Sequence, residues 1–316
     1  MAAAPLSRRQ MLGLLGAGFL TACSPTRRER GTEAASSSTT TTAAPAVISD
    51  GQPPFDTVHP MSGFVAFGDF GGGPAQGAVA AGMLQWVRDG HRVDALVTTG
   101  DNVYDFGEPA HFDAYLVSPY RALQVTGRPM WATLGNHDES AGHGAQQLAF
   151  LKLPPLPYVK ELPGVRFLFL DANHPDDAQA RWLTEQLAKP DPPLFTVAVF
   201  HQPVFSCGLH GPTPEVITHW YGALDSGGVS LVLNGHDHEY QRFLTAEGTT
   251  FIVTGGGGQV LYPLIPGCDP PERRVGVVKH HFTGIEVYSD RMAVTAVAAD
   301  GSVIDRVDIP AGIPTP

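Results

Sequence analysis

The chain has 316 residues, of which 43% are hydrophobic and 16% charged, and its formal net charge is −11. This is enough for a large packed core, and chains of roughly 250 residues often fold as one domain. The negative charge argues against a nucleic-acid partner held by basic patches, so any phosphate group must be bound locally, by metal ions and some of the thirteen histidines.

Residues 1–22 are predicted to be an export signal. Arg8 and Arg9 make the beginning positive, and Met11–Leu20 is an apolar run. A membrane-spanning helix needs roughly 20 such residues, so this shorter run is typical of a signal-peptide core. The segment Ser7–Leu12 resembles the twin-arginine motif, which directs export of folded proteins.

The end of this signal contains a candidate lipid-attachment site. Leu20-Thr21-Ala22-Cys23 resembles a lipobox, in which the cysteine is acylated and becomes the mature N-terminus. The alternative is an ordinary secretory signal with a chance cysteine. We predict that Cys23 anchors an exported protein to the outer face of the cytoplasmic membrane, in the cell envelope. Residues 23–60 have few large apolar side chains and are predicted to be a disordered tether.

Residues 61–316 are predicted to fold as one domain in which strands and helices alternate. Predicted strands that lead into Asp, Asn or His are Phe64–Gly68, Ala95–Thr99, Met130–Leu134, Phe195–Phe200 and Leu231–Leu233. Predicted helices are Gln76–Arg88, Ala110–Leu123, Asp177–Leu187 and Pro214–Leu224. This order predicts buried sheets with ligands gathered at the carboxyl ends of the strands.

The sequence after His238 changes to strands. These are Phe251–Thr254, Gly284–Tyr288 and Met292–Ile309, the last predicted to be a hairpin that turns at Asp300-Gly301. Two such halves facing each other give the predicted fold class, an α/β (α+β) protein with a four-layer αββα sandwich of two mixed β-sheets flanked by helices.

Five short motifs at predicted strand ends offer metal ligands. They are Asp69 in GDFG, Asp101 and Tyr104 in GDNVY, Asn136 in GNHD, His201 in FHQP, and His236 and His238 in GHDH. A single such Asp is more often a turn residue, and a single such His is more often a half-buried structural side chain. All five in order, each after an apolar strand, indicate one metal centre.

These motifs resemble the metallophosphoesterase (calcineurin-like) superfamily and, within it, the purple acid phosphatases. Most of the superfamily has Asp-x-His in the first motif, whereas Gly71 occupies the histidine position here. Tyr104, three residues after Asp101, replaces it as in the purple enzymes. The run from His201 to Thr213 is similar to the small mammalian tartrate-resistant acid phosphatases. The resemblance covers about residues 64–288. This sequence differs from the family pattern in its leader, at Asp105 and at Leu209.

The resemblance implies a dinuclear centre bridged by Asp101. The first metal would be Fe(III), held by Asp69, Asp101, Tyr104 and His238. The second would be Zn²⁺, Fe²⁺ or Mn²⁺, held by Asp101, Asn136, His201 and His236. The implied activity is acid-phosphatase-like hydrolysis of small phosphomonoesters by a metal-bound hydroxide.

The remaining motif residues are assigned supporting roles. The resemblance places His137 and His210 near the phosphate, where they would bind its oxygens or protonate the leaving group; support of a neighbouring ligand is the alternative. Asp138 is expected to orient His137 or its loop. The glycine-rich runs 71–73 and 255–258 are expected to allow close backbone approach. Three histidines fit no motif and are expected at the surface: His143, His280 and His281.

Three questions stay open at this stage: the state of Cys207 and Cys268, the class of activity, and the oligomeric state. Cys207 and Cys268 are compatible with a disulfide or with two free thiols. The same ligand set suits a dinuclear phosphodiesterase acting on nucleotides or phospholipid head groups, although Tyr104 favours monoesters. A non-catalytic metal-binding surface lipoprotein is the second alternative, which His137 and His210 argue against. The sequence does not indicate an oligomeric state.

Overall fold

A computed structural model describes residues 57–312 of the chain. The predicted export signal and the lipid-attachment site at Cys23 lie outside the described residues, as does the predicted tether except for residues 57–60. Within residues 57–312, no helix has both the length and the apolar character needed to cross a bilayer.

The described residues form thirteen strands and six α-helices. The strands are β1 (Ser62–Phe67), β2 (Ala95–Thr98), β3 (Met130–Ala132), β4 (Tyr158–Leu162), β5 (Val165–Phe169), β6 (Phe195–Val199), β7 (Leu231–Asn234), β8 (Tyr240–Leu244), β9 (Thr250–Thr254), β10 (Arg273–Val277), β11 (His281–Val287), β12 (Arg291–Ala298) and β13 (Val303–Pro310). The helices are α1 (Gln76–Arg88), α2 (Arg121–Gln124), α3 (Asn136–Glu139), α4 (Gly144–Phe150), α5 (Asp177–Leu187) and α6 (Pro214–Ser226).

The strands form two mixed sheets. The first has six strands in the order β13-β12-β11-β1-β2-β3, and the second has seven in the order β10-β8-β9-β7-β6-β5-β4. Strands β1, β2 and β3 are mutually parallel, as are β5, β6, β7 and β9. The carboxyl ends of the parallel strands therefore lie together at one edge of each sheet.

The alternation of side chains along buried strands produces the layers. On β1, Phe64 and Ala66 belong to the core between the sheets, while Val65 and Phe67 belong to the core beneath α1. The Phe64 ring meets Phe167 of the second sheet with centroids 4.8 Å apart. Because successive strand residues point to opposite faces, a strand buried on both faces is apolar throughout.

Helices cover the outer face of each sheet. Helix α1 packs on β11 and β12 of the first sheet. Helices α5 and α6 contact each other and contribute Leu183 and Trp220 to the core on the outer face of the second sheet. The predicted four-layer αββα sandwich of two mixed sheets is thus the observed fold.

Two local predictions were wrong. Ala110–Leu123 is not one helix: a 3₁₀ turn at Pro109–His111, a π-helical turn at Asp113–Val117 and α2 replace it. Pro119 lies inside this segment, and proline both lacks an N–H and clashes with the preceding helical turn. His281 is fully buried, not at the surface, because it lies on the inner strand β11.

The predicted hairpin is confirmed as β12 and β13, with Asp300 and Gly301 in its turn.

Candidate metal centre

The candidate ligands lie just beyond the carboxyl ends of five strands. Asp69 and Asp101 follow β1 and β2, Asn136 begins α3 after β3, and His201 and His236 follow β6 and β7. Three of these strands belong to the first sheet and two to the second. The facing edges of the two sheets therefore bring the motifs to one place, as the sequence predicted.

The backbone is strained at three of the candidate ligands. Asp69, Asp101 and His236 have positive φ angles of 59°, 51° and 73°. Residues other than glycine rarely adopt this conformation, and it concentrates at functional sites. Neighbouring glycines allow the loops to approach each other: a Cβ on Gly135 would lie 2.0 Å from Asp101 Oδ1, and one on Gly235 would lie 2.4 Å from Asp69 Oδ2.

The side chains converge on the carboxylates of Asp69 and Asp101. The Tyr104 hydroxyl lies 2.8 Å from Asp101 Oδ2 and 3.2 Å from His238 Nε2. Nε2 of His201 is 3.3 Å from Asp101 Oδ2, and Nε2 of His238 is 3.5 Å from Asp69 Oδ1. Ligand atoms of Asp69, Asp101 and His201 all lie within 4.8 Å of one another, close enough to hold one cation.

Backbone carbonyls orient two of the histidines. Nδ1 of His201 lies 2.8 Å from the Thr99 carbonyl oxygen, and Nδ1 of His238 lies 2.7 Å from that of Val260. When such an imidazole is neutral, its Nδ1–H donates to the carbonyl and its lone pair is on Nε2, the atom that here faces the carboxylates. This is the usual arrangement of histidines that bind metal.

Two observations indicate that the cluster fits cations. Asp69 and Asp101 are almost completely buried, yet within residues 57–312 their only ion-pair partners are histidines, with no Lys or Arg. Buried carboxylates need a compensating charge. Furthermore, the buried Asn136 Oδ1 accepts no hydrogen bond from the described residues. Buried polar atoms usually have a partner, and a metal ion bound by this amide oxygen would supply one.

The pKa shifts within the cluster also reflect buried charges that lack a compensating Lys or Arg cation among the described residues. Burial would raise the pKa of Asp101, but the charge of His201 and hydrogen bonds hold it well below its usual range. Burial would lower the pKa of His201, but Asp101 and Asp69 raise it to about 9. Burial and the charge of His201 lower the pKa of His236 to about 2. Burial and the charges of Asp69 and Asp101 raise the pKa of Tyr104 well above its ordinary value, so a phenolate here would need a cation beside it.

His137 and His210 lie against candidate ligands without belonging to the central cluster. The His137 ring is 4.2 Å from that of Tyr104, and the His210 ring is 4.3 Å from that of His236. His210 is exposed and His137 is half-buried, so both remain accessible to a bound molecule. Their proposed contacts with phosphate stay predictions.

Asp138 holds the loops of the first sheet together. Its carboxylate accepts hydrogen bonds from the backbone N–H groups of Gly135, Asn102 and Val103 at 2.8–3.1 Å, and from the side chain of Gln147. It is fully buried, and burial together with the charge of Asp101 raises its pKa to about 6. Asp138 therefore orients the loop, as expected.

The sequence did not reveal three contributors to the loops around the site. Cys207 and Cys268 form a disulfide, which answers the question that the sequence left open. Asp237, inside the GHDH motif, accepts hydrogen bonds from the loop that carries His210. Tyr262 stacks on His238 with ring centroids 4.0 Å apart. Asp237 could have been noticed from its motif, whereas no local signal marks Tyr262.

Comparisons with known proteins agree with this arrangement. The family model for calcineurin-like phosphoesterases matches residues 62–240. The tartrate-resistant acid phosphatase type 5 of Rattus norvegicus is 26% identical over 303 residues, covering 78% of this chain and 90% of its own. Purple acid phosphatase 4 of Arabidopsis thaliana is 29% identical over 295 residues, covering 78% and 82%.

A solved structure shares the fold. The purple acid phosphatase PPD1 from seeds of yellow lupin (Lupinus luteus) superposes with a TM-score of 0.70 at 17% identity, over 79% of this chain and 53% of its own. The family implies a dinuclear metal centre, which the donor set described above fits. The family match extends over more than half of the chain and includes these strand-end motifs, so the chain belongs to the calcineurin-like phosphoesterases and hydrolyses phosphoesters.

Proposed function

We propose that this chain is a phosphomonoesterase of the purple acid phosphatase type. The observation that carries the proposal is the contact of Tyr104 with the cluster, 2.8 Å from an Asp101 oxygen and 3.2 Å from His238 Nε2. Phenolate is a hard anionic ligand that suits Fe(III). A tyrosine in this position therefore favours iron on the Tyr104 side.

The proposed ligand sets share Asp101. Asp69, Asp101, Tyr104 and His238 would hold Fe(III), while Asp101, Asn136, His201 and His236 would hold Zn²⁺, Fe²⁺ or Mn²⁺. One Asp101 oxygen lies 2.8 Å from Tyr104 of the first set and 3.3 Å from His201 of the second, which supports a bridging role. When bound, the two cations would supply a water of lowered pKa and would neutralise phosphate charge.

The histidines outside the ligand sets would handle the phosphate and the leaving group. His210 is exposed beside His236, so its imidazolium could donate a proton to the leaving oxygen. His137, whose Nδ1 lies 2.8 Å from the Asp105 carbonyl oxygen, could as an imidazolium donate from Nε2 to a phosphate oxygen on the Tyr104 side. The substrate would be a small phosphate monoester.

The protein would act outside the cytoplasm on a lipid tether. The lipobox-like Leu20-Thr21-Ala22-Cys23 and the twin-arginine-like Ser7–Leu12 support this location. The disulfide between Cys207 and Cys268 is consistent with an oxidising compartment.

A panel of two esters tests the function. Purified protein loaded with iron and zinc should hydrolyse 4-nitrophenyl phosphate with a kcat/KM at least about tenfold above that for bis(4-nitrophenyl) phosphate. The reverse preference would favour the phosphodiesterase alternative. No hydrolysis of either ester by protein with full metal content would favour a non-catalytic lipoprotein.

A further inference from the structure

Two loops form one wall beside the candidate metal centre. The loop after β6 contains Leu209 and His210, and the loop between β9 and β10 contains Tyr262. The Cys207–Cys268 disulfide joins these loops covalently. In addition, the backbone N–H of Ile265 donates to the Cys207 carbonyl oxygen at 2.8 Å. The two loops therefore keep a defined relative position.

Tyr262 lies on this wall, against a candidate metal ligand. Its ring is stacked on His238, with centroids 4.0 Å apart and planes 15° apart. The same ring meets His210 nearly at right angles, with centroids 5.5 Å apart. Tyr262 thus contacts both a candidate ligand of the first metal and the candidate proton donor.

Large apolar side chains are exposed on the loops around the site. Leu209 next to His210 is 57% exposed, and Val260, whose carbonyl accepts from His238, is 64% exposed. Phe106, two residues after Tyr104, is 56% exposed. Apolar side chains grouped at a functional site usually mark a binding surface.

The side-chain neighbours of Tyr262 on this wall are aromatic. In the part of the chain that the structure describes, no Lys or Arg forms an ion pair with Asp69 or Asp101, and the side-chain partners of Tyr262 are the rings of His210 and His238. The organic part of a substrate that lies beside Tyr262 would therefore meet aromatic and apolar groups.

We propose that Tyr262, together with Leu209 and Val260, forms a subsite that binds an aromatic leaving group of the substrate. The inference rests on the proposed phosphomonoesterase function, because His210 can protonate the leaving oxygen only if that oxygen lies near it. An aryl group attached to this oxygen would then lie against the exposed part of the Tyr262 ring. Ring–ring contact and burial of apolar surface would favour aryl over short alkyl phosphates.

The experiment compares phosphate esters, and phosphonates, whose organic group is either aromatic or a short alkyl chain. For the metal-loaded wild type, Tyr262→Ala and Tyr262→Phe, kcat/KM is measured with phenyl phosphate and ethyl phosphate. Dissociation constants for phenylphosphonate and methylphosphonate are measured by calorimetry, beside metal content. Tyr288→Ala is the matched control, because Tyr288 follows the end of β11 that pairs with the start of β1, away from the site.

Tyr262→Ala is expected to lower kcat/KM for phenyl phosphate and the affinity for phenylphosphonate about tenfold, with the ethyl and methyl compounds changed less than about twofold. Tyr262→Phe and Tyr288→Ala should keep the wild-type preference. Equal losses for aryl and alkyl compounds, or loss of a metal, would overturn the subsite and leave Tyr262 as a support for His238. Wild-type protein that cleaves neither ester refutes the proposed function, and the ratio of phosphonate affinities still decides the subsite.

Discussion

The carboxylate of Asp237 accepts a hydrogen bond from the backbone N–H of His210, with 2.8 Å between Oδ1 and the nitrogen. Its second oxygen accepts from the Ser206 hydroxyl at 2.5 Å and from the Gly211 N–H at 3.2 Å. Asp237 stands between the candidate ligands His236 and His238 in the chain. One buried carboxylate therefore links the motif that would bind both metals to the loop that carries the candidate proton donor.

Asp237→Asn is expected to disturb His210 without removing metal. The amide NH₂ cannot accept the hydrogen bonds from Ser206 and Gly211, so the loop should lose its defined position, and kcat should fall about tenfold. In a His210→Ala background the same substitution should have little further effect. Asp94→Asn is the control, because Asp94 accepts from the Gly63 N–H near the start of β1, the end of that strand opposite the site. Additive losses in the double variant would show that Asp237 does not act through His210.

Tyr104→Phe is expected to remove the colour of the iron-loaded protein. A tyrosinate bound to Fe(III) gives a visible charge-transfer band, and phenylalanine cannot form it. The absorption spectrum, read beside iron content, makes the measurement, and Tyr262→Phe provides a tyrosine control near the site. A colourless iron-loaded wild type would contradict the purple type while leaving a phosphoesterase with other metals.

His210→Ala and Asn136→Ala should fail in different ways. Asn136→Ala should lose the second metal and nearly all turnover. His210→Ala should keep both metals and the visible band but slow the hydrolysis of alkyl phosphates by about 10²–10⁴. Its effect on 4-nitrophenyl phosphate should be smaller, because nitrophenolate needs little protonation. Equal loss on both esters with metals retained would make His210 a phosphate-binding residue, and loss of a metal would make it structural.

Cys23→Ser should release the protein from the membrane fraction, because serine cannot carry the proposed thioether-linked lipid. Replacing both Arg8 and Arg9 by lysine should block twin-arginine export and leave the precursor in the cytoplasm. Fractionation followed by immunoblotting measures both. A Cys23→Ser protein that stays with the membrane would rule out the lipid anchor.

His281 should make the fold sensitive to acid. Burial lowers the pKa of His281 from 6.5 to about 4, so the folded protein keeps it neutral while the unfolded chain binds a proton. The contribution of neutral His281 to the free energy of unfolding should be complete above pH 6.5. It should decline as the pH falls towards 4, by on the order of 3 kcal/mol in all. Urea unfolding at about pH 7.5 and about pH 4.5 should show a smaller decrease for His281→Gln than for the wild type, with His143→Gln behaving as the wild type. An equal decrease in all three proteins would assign the acid sensitivity to other groups.

Much of the site followed from local sequence. Apolar runs such as 64–68 and 95–99 are strands because a strand buried on both faces must be apolar throughout, and the glycine and aspartate after them mark the sharp turn at the strand end. Parallel strands bring such ends together, so Asp69 and Asp101 could be assigned to one cluster before any distance was known. The break of the predicted helix at Pro119 also had a local cause, which the helical pattern had concealed.

The tertiary structure decided what depends on contacts between distant segments. The pairing of Cys207 with Cys268 requires a particular path of 61 residues, and cysteine spacing alone does not specify it. His281 is buried because β11 pairs between β1 and β12 in the first sheet, a position that its short local pattern does not record. Tyr262 lies on His238 because the disulfide and the Ile265–Cys207 hydrogen bond hold its loop there. Local sequence determines which side chains stand at a strand end, whereas the packing of two sheets and their loops determines which of them touch.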